Sequence, residues 1–343
     1  MCYLCPRYFT FLTTMFSLKP YNTFGVDVQG DRLVELGSVE DVVTYAKDLE
    51  DHDRRHFIIG GGSNLLFLRD FHGDIIRLTN RDLLVVRGDD DYVYIRVGAG
   101  YVWDEFVAWT TEQGLWGAEL LSGIPGTVGA APVQNIGAYG AEAADIVVEA
   151  HTVNLCEKGQ QKTFKAEEMA FAYRGSLFKR SNRPYAVCYV TFRLARHIPD
   201  NRDNYTRLGL SDADITPRQV RRKVLEVRAS KLPAVSELGS AGSFFKNPEV
   251  DTLHLESLRE LFADIPAYPL PSGLVKIPAG WLIEQCGWKG YREGAVGVYP
   301  KHSLVLVNYG GATGGEIYNL SERIASDVHK KFGLSLEPEV EVI

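Results

Sequence analysis

Apolar residues recur along this chain with two periods, and each period predicts a different element. Val42, Val43, Ala46 and Leu49 follow Ser38-Val39-Glu40-Asp41, a capping-box pattern, and their spacing predicts a helix. Phe57-Ile58-Ile59 predicts a short strand that runs directly into Gly60-Gly61-Gly62-Ser63-Asn64. Val93, Ile95 and Val97 alternate with polar or outward residues, so 92–97 reads as a half-buried strand stopped by Gly98-Ala99-Gly100. Residues 103–113 read as a helix with Trp103, Phe106 and Val107 inward and Gly114 at its end, and 146–155 and 186–194 as further strands. Thr216-Pro217-Arg218-Gln219 supplies an N-cap, a proline at the first helical position and a glutamine at N3. The helix it opens must stop near Lys231, because Leu232 precedes Pro233. A short helix is expected over 278–286, capped by Gly287. Ile317, Leu320, Ile324, Val328 and Phe332 predict a long amphipathic helix closed by Gly333. Strands and helices alternating at irregular intervals point to an α+β or α/β fold rather than a sandwich.

Length and composition narrow this picture. The 343 residues are enough for two domains, and 45% hydrophobic with 24% charged residues is the make-up of a globular chain. Thirty-seven basic against 44 acidic residues give a net charge of −7, so no global basic field invites nucleic acid or an anionic membrane. No apolar run approaches the roughly 20 residues needed to span a bilayer. Five cysteines, an odd number over this length, do not resemble a disulfide framework and point to a reducing cytoplasm. The histidines show no metal-binding spacing, so no metal is expected. Residues 1–17 read as an extension outside the fold; Cys2 and Cys5 form one C-x-x-C with no second pair. Residues 196–215, polar and rich in Asp and Arg, read as a linker, and a second domain is expected from 216 to 343.

Glycine carries the first chemical signal. Gly60-Gly61-Gly62-Ser63-Asn64, Gly123-Ile124-Pro125-Gly126-Thr127-Val128-Gly129 and Asn135-Ile136-Gly137-Ala138-Tyr139-Gly140 are three glycine-rich turns in one half of the chain. Glycine lets backbone N–H groups approach an anion closely, and three such turns in an acidic protein favour a phosphate-bearing cofactor. None is a dinucleotide fingerprint or a P-loop. Gly310-Gly311 and Gly314-Gly315 read as an exposed loop. Arg174, set between aromatics in Phe171-Ala172-Tyr173-Arg174-Gly175-Ser176-Leu177-Phe178-Lys179, can hold a carboxylate through paired hydrogen bonds; local sequence alone favours a plain salt bridge or a surface arginine. Ser243 follows Gly242 in a turn that is not the hydrolase elbow, and Asn247 lies four residues on. Glu337, Glu339 and Glu341 alternate as the solvent face of an edge strand would, although a single inward carboxylate would be a candidate acid.

Taken together, these motifs, with Asn22-Thr23-Phe24-Gly25 and Ala279-Gly280-Trp281-Leu282-Ile283-Glu284-Gln285-Cys286, resemble the UDP-N-acetylenolpyruvoylglucosamine reductase family of bacterial cell-wall synthesis. The resemblance covers residues 21–343, and the stretch around Tyr205 is similar to the family's longer form with a tyrosine-bearing loop. It implies an α+β fold in which residues 18–195 form a vanillyl-alcohol-oxidase-type FAD-binding unit of two lobes, followed by an α+β substrate domain. It implies non-covalent FAD, NADPH as hydride donor, and hydride delivery to the enolpyruvyl methylene carbon of UDP-N-acetylglucosamine enolpyruvate. A cytoplasmic monomer acting on small molecules is the expectation.

Residue by residue, the resemblance places Gly60, Gly61, Gly62, Ser63 and Asn64 on the cofactor pyrophosphate, and Gly123, Gly126, Gly129, Asn135, Gly137 and Ala138 along the rest of it. Ser243 matches the proton donor, and Arg174 and Glu339 match the residues that hold the substrate carboxylate and stabilise the enolate. Tyr205, Lys231, Asn247 and His302 match substrate-contacting residues. An FAD oxidase on the same scaffold, or a sugar-nucleotide-binding protein without redox chemistry, are the alternatives the residues leave open.

Overall fold

The computed structural model of the chain describes residues 15–52, 54–179, 184–199, 202–210, 215–270 and 272–343. It divides into two compact units. The first takes in residues 30–61 and 72–228; the second takes in 17–29, 62–71 and 229–343.

The first unit holds two sheets. In one, the short strand Phe16–Ser17 is followed across the sheet by β1 (Gln29–Leu36), β3 (Phe71–Leu78) and β2 (His56–Ile59). Strands β2 and β3 run parallel, with Phe57 opposite Ile75. Helix α1 (Val39–His52) begins where expected, and the Ser38 hydroxyl accepts the Asp41 N–H at 3.1 Å, satisfying one of the helix's orphan donors. The other sheet is antiparallel throughout. Its order is β7 (Gln160–Lys165), β6 (Val147–Asn154), β8 (Tyr185–Ala195), β5 (Tyr92–Gly98) and β4 (Leu83–Gly88). Val93, Ile95 and Val97 all turn inward, as their alternation requires. They pack with Trp103, Phe106 and Val107 of α2 (Trp103–Glu112) and with Phe192 of β8; the rings of Phe106 and Phe192 lie 4.7 Å apart.

On β3 of the first sheet, Asp74 is buried and gathers Arg32, Arg54 and the Tyr45 hydroxyl. Burial alone would raise its pKa. The hydrogen bonds from Arg32 and Tyr45 and the two guanidinium charges outweigh that and hold it below the usual carboxylate range.

Three boundaries differ from the sequence expectations. Residues 1–14 of the expected extension lie outside the described residues, but Phe16–Ser17 is a strand and Leu18 is fully buried, so the fold begins before 18. The expected linker 196–215 is folded where it is described, with a helical turn at Asp203–Arg207. Tyr205, Leu208 and Ile215 leave that polar stretch to join Trp116, Leu120, Val220 and Val224 in one apolar cluster. Helix α3 (Pro217–Lys231), capped by Thr216 and Gln219 as expected, belongs to the first unit as far as Arg228, so the division falls inside a helix.

The second unit contains α4 (Thr252–Leu261), α5 (Ala279–Gln285), the antiparallel strands β9 (Val296–Val298) and β10 (Leu306–Asn308), and α6 (Gly314–Phe332). Ile317, Leu320, Ile324, Val328 and Phe332 form the buried face of α6, and Gly333 closes it at φ +70°. Gly314 is not in an exposed loop. It opens α6 against the Phe67 carbonyl, where any Cβ would overlap the oxygen. Chain segments distant in sequence meet here, since Leu65–Leu66 pairs in parallel with Glu341–Val342. Among the described residues no helix is long and apolar enough to cross a membrane.

Candidate active site

In the first unit, the opening glycines of the first turn, Gly60 and Gly61, are built against the second turn. Strand β2 runs directly into Gly60 and Gly61. A Cβ on Gly60 would lie 2.7 Å from Thr127 Oγ1, and one on Gly61 would lie 2.9 Å from Gly126 Cα. The first and second turns are thus as close as two backbones come, which explains why neither position has a side chain. Peptide groups are what such a surface presents. The second turn is anchored by hydrogen bonds from Trp103 N–H to Gly126 O (3.1 Å), Val128 N–H to Tyr101 O (2.9 Å) and Gly129 N–H to Ala99 O (2.9 Å).

The third turn carries Asn135 and Tyr139 at φ +47° and +52°. Asn135 donates to Glu142 Oε2 (2.8 Å) and Ala172 O (3.1 Å) and accepts the Ala144 N–H (2.9 Å). Its side chain therefore fastens the turn to the arginine loop. Gly137 and Ala138 pair with Glu142 and Ala141 in a two-residue hairpin. Arg174, itself at φ +53°, donates from Nη2 to Gly137 O at 2.8 Å, and Lys179 Nζ donates to Arg174 O at 3.3 Å. A cluster of sequence-predicted residues thus forms one connected arrangement.

Tyr205 stands elsewhere. It was expected to contact substrate, but it is 3% exposed, with its hydroxyl donating to Glu119 Oε1 at 2.7 Å and its ring 5.8 Å from Trp116. The apolar cluster it forms with Leu208, Ile215, Val220 and Val224 draws it inward. Glu119 is 1% exposed, and burial raises its pKa against the opposing pull of the Tyr205 hydroxyl and the Gly117 N–H. A carboxyl whose folded pKa is raised stabilises the fold below its unfolded value of about 4.3 and loses that contribution as pH rises through the folded value. Urea midpoints of the wild-type protein and Glu119→Gln should therefore diverge as pH rises from 4 toward 7, with the variant gaining. Tyr205→Phe should cost about 1–2 kcal/mol by leaving a buried oxygen unpaired, readable in the same titrations.

Sequence reasoning missed Arg228. This α3 residue is half-buried, and its Nε lies 3.1 Å from where a Gly123 Cβ would be. Burial lowers its pKa, while Tyr139 of the third turn and Asp104 act the other way. A guanidinium between two glycine turns suits an anionic ligand, but the helical spacing around it is that of an ordinary amphipathic face and carries no signal.

In the second unit, Asn22 closes its loop by donating to Leu18 O (2.8 Å) and Val26 O (3.0 Å) and accepting from Val26 N–H (3.0 Å). Gly62, at φ +64°, lies against that loop, and its carbonyl accepts the Thr23 N–H at 3.1 Å. Asn64 Nδ2 donates to Glu339 O at 3.0 Å, while Asn64 O accepts the Glu341 N–H at 2.9 Å. Glu339 N–H donates to Phe244 O at 2.7 Å, Phe244 N–H donates to Leu304 O at 2.8 Å, and Ser243 bridges Val305. Asn64, Ser243 and Glu339 are thereby held on neighbouring, hydrogen-bonded segments. Ser243 is half-buried, and among the described residues its hydroxyl has no hydrogen-bond partner.

His302 joins the same group through Leu304, whose N–H donates to its Nδ1 at 3.3 Å, leaving Nε2 to carry the proton. Burial, then Lys231 and Lys289, lower its pKa, so the ring is neutral at pH 7. Asn247 Oδ1 accepts the Ala279 N–H at the start of α5 (2.9 Å).

A dinucleotide cofactor needs close peptide N–H donors for its pyrophosphate and a local cation in an acidic protein. Turns too tight for any Cβ, together with Arg228, fit FAD on that test. Residues 31–164 match the FAD binding domain family, and residues 233–343 match the C-terminal domain of UDP-N-acetylenolpyruvoylglucosamine reductase. The reductase of that name from Porphyromonas gingivalis is 43% identical over 333 residues, spanning 96% of this chain and 98% of the relative. This chain belongs to the UDP-N-acetylenolpyruvoylglucosamine reductase family. The family member from Pseudomonas aeruginosa is 44% identical over 327 residues, covering 94% of this chain and 96% of its own length. The crystal structure of the Thermus caldophilus member superposes with a TM-score of 0.68 at 25% identity, over 97% of this chain and 99% of that one. The α+β fold with an FAD-binding domain and a separate C-terminal domain, expected from the family's motifs, is the fold of this chain.

Proposed function

We infer that this chain reduces UDP-N-acetylglucosamine enolpyruvate to UDP-N-acetylmuramate with NADPH, through FAD, in the synthesis of peptidoglycan precursors. The observation that carries this reading is the 43% and 44% identity, over nearly the whole chain, to reductases of that name, joined to an FAD-binding domain match. Bound FAD supplies the hydride carrier between NADPH and the enolpyruvyl methylene carbon. Its pyrophosphate is assigned to the peptide groups of Gly60, Gly61, Gly62, Ser63 and Asn64, and the rest of the cofactor to the turns at Gly123–Gly129 and Asn135–Ala138. A first turn without histidine supports non-covalent attachment.

Hydride addition at the methylene leaves negative charge on C2 and the adjacent carboxylate, and a proton must then reach C2. Ser243 is the proposed donor. Its hydroxyl has no hydrogen-bond partner among the described residues and sits on a doubly anchored segment, so it can give up a proton without breaking a bond among them. Arg174 and Glu339 are the proposed holders of the carboxylate and the enolate. Lys231, His302 and Asn247 are assigned to the diphosphate and its sugar; the neutral His302 ring offers Nε2–H, and Lys231 brings the charge. Tyr205 reaches substrate only if its bond to Glu119 is exchanged for one to the ligand. Cytoplasmic location and a monomeric state complete the reading.

Anaerobic absorbance titration tests it. The yellow protein should bleach with one equivalent of NADPH and recover its colour with one equivalent of the enolpyruvyl sugar nucleotide. Recovery with oxygen but not with the sugar nucleotide would sink the assignment in favour of an oxidase.

A further inference from the structure

The first four residues of the second glycine turn, Gly123 to Gly126, are held at both ends by two consecutive residues of one helix. Trp103, the first residue of α2, donates its N–H to Gly126 O at 3.1 Å. The carboxylate of the next residue, Asp104, accepts the Gly123 N–H on Oδ1 at 2.5 Å. Between these points the chain is Gly123-Ile124-Pro125-Gly126, stiffened by the fixed φ of Pro125. The far end of this strut is the one packed on Gly61, with 2.9 Å between a Cβ there and Gly126 Cα.

Asp104 also takes a two-pronged ion pair from Arg221 of α3, at 2.5 and 2.8 Å. Residues 221, 225 and 228 lie on one face of that helix. A Cβ on Gly123 would meet Leu225 Cδ2 at 2.8 Å and Arg228 Nε at 3.1 Å, so this face lies on the turn. Burial works to raise the Asp104 pKa, but Arg221 and the Gly123 N–H prevail and keep it below the ordinary carboxylate value. The anion sits in the first turn of α2, where the helix dipole favours it as well.

We propose that Asp104 is a positioning residue for FAD: its carboxylate fixes the Gly123 end of the second glycine turn, and so the spacing of that turn from Gly61 and Arg228. The proposal rests on the assignment of this turn to the cofactor. Charge-assisted bonds of this kind have about twice the strength of neutral ones. The Gly123 bond, rather than the ion pair, is the contact that reaches the cofactor.

Apoprotein prepared by removing FAD is titrated with FAD by flavin fluorescence, and the melting temperature of each apoprotein is recorded alongside. Asp104→Ala, which removes both contacts, should bind FAD at least about tenfold more weakly. Arg221→Met, which removes only the ion pair, should lower the melting temperature yet bind FAD within threefold of wild type. Asp104→Asn, which keeps an acceptor for Gly123, should fall between them. Asp104→Ala binding FAD as wild type does, or both variants weakening it equally, would overturn the proposal. Gly126→Val separates the underlying assignment from it. If that variant also binds FAD normally, the turn does not hold the cofactor and both fall together. If it loses FAD while Asp104→Ala keeps it, only the positioning role fails.

Discussion

Ser243→Ala is expected to bleach under NADPH at the wild-type rate and then to regain its colour with the enolpyruvyl sugar nucleotide about 10²- to 10⁴-fold more slowly, the usual contribution of a positioned acid. The two half-reactions make different demands. Accepting hydride from NADPH needs the cofactor and a docking surface but no protein acid. Delivering it to a vinyl ether leaves charge on carbon that must be quenched by a proton. The backbone around Ser243 is fixed on both sides, by Leu304 and Val305 and by Glu339, so removing one oxygen leaves those contacts in place. A normal melting temperature together with slow recovery separates lost chemistry from lost structure. Wild-type recovery in this variant would remove Ser243 from the mechanism and leave the proton to solvent or to another acid. Ser243→Cys, which restores an acidic proton on a larger atom, should regain part of the rate.

Much of this arrangement is visible in the sequence because it is local. Ser38, Thr216 and Thr313 cap helices with partners three residues on, and a period-2 run at 92–97 states its own buried face. Glycines that no side chain can replace mark the turns, although Gly314 shows that a glycine pair in polar surroundings can equally be a helix start pressed on a carbonyl. What the sequence conceals is contact between distant positions. Asn64 meets Glu339 across 275 residues, and Asp104 meets Arg221 across 117, with no local pattern to announce either pair. The same holds for residues 17–29 and 62–71, which join the second unit through such pairings although they precede most of the first. Tyr205 illustrates the converse. A polar composition suggested a loop, yet three apolar side chains spaced through it were enough to fold it onto Trp116.

Gly62→Ala should produce the largest loss of cofactor, weakening FAD by at least about 10²-fold, or roughly 3 kcal/mol. Two costs add at this position. The backbone stands at φ +64°, where an L-residue is strained by about 1 kcal/mol or more. The new methyl would also overlap the Tyr21 carbonyl and crowd Tyr21 C at 2.7 Å and Asn22 Cα at 3.0 Å. Neither neighbour can give way cheaply. Both are backbone, and Asn22 is held by three hydrogen bonds to Leu18 and Val26, so the overlap must be relieved by moving Gly62 itself. Gly62 carries the middle of the first turn, and a shift there tilts the peptide groups on both sides. Gly315→Ala is the matched control. It adds the same methyl in open space on α6, away from positive φ, and should leave FAD binding unchanged with equal or slightly greater stability. Fluorescence titration of the two apoproteins decides the matter. A Gly62→Ala protein that holds FAD as tightly as its control would mean that the Asn22 loop yields, and that the first turn is not the rigid cradle its geometry describes.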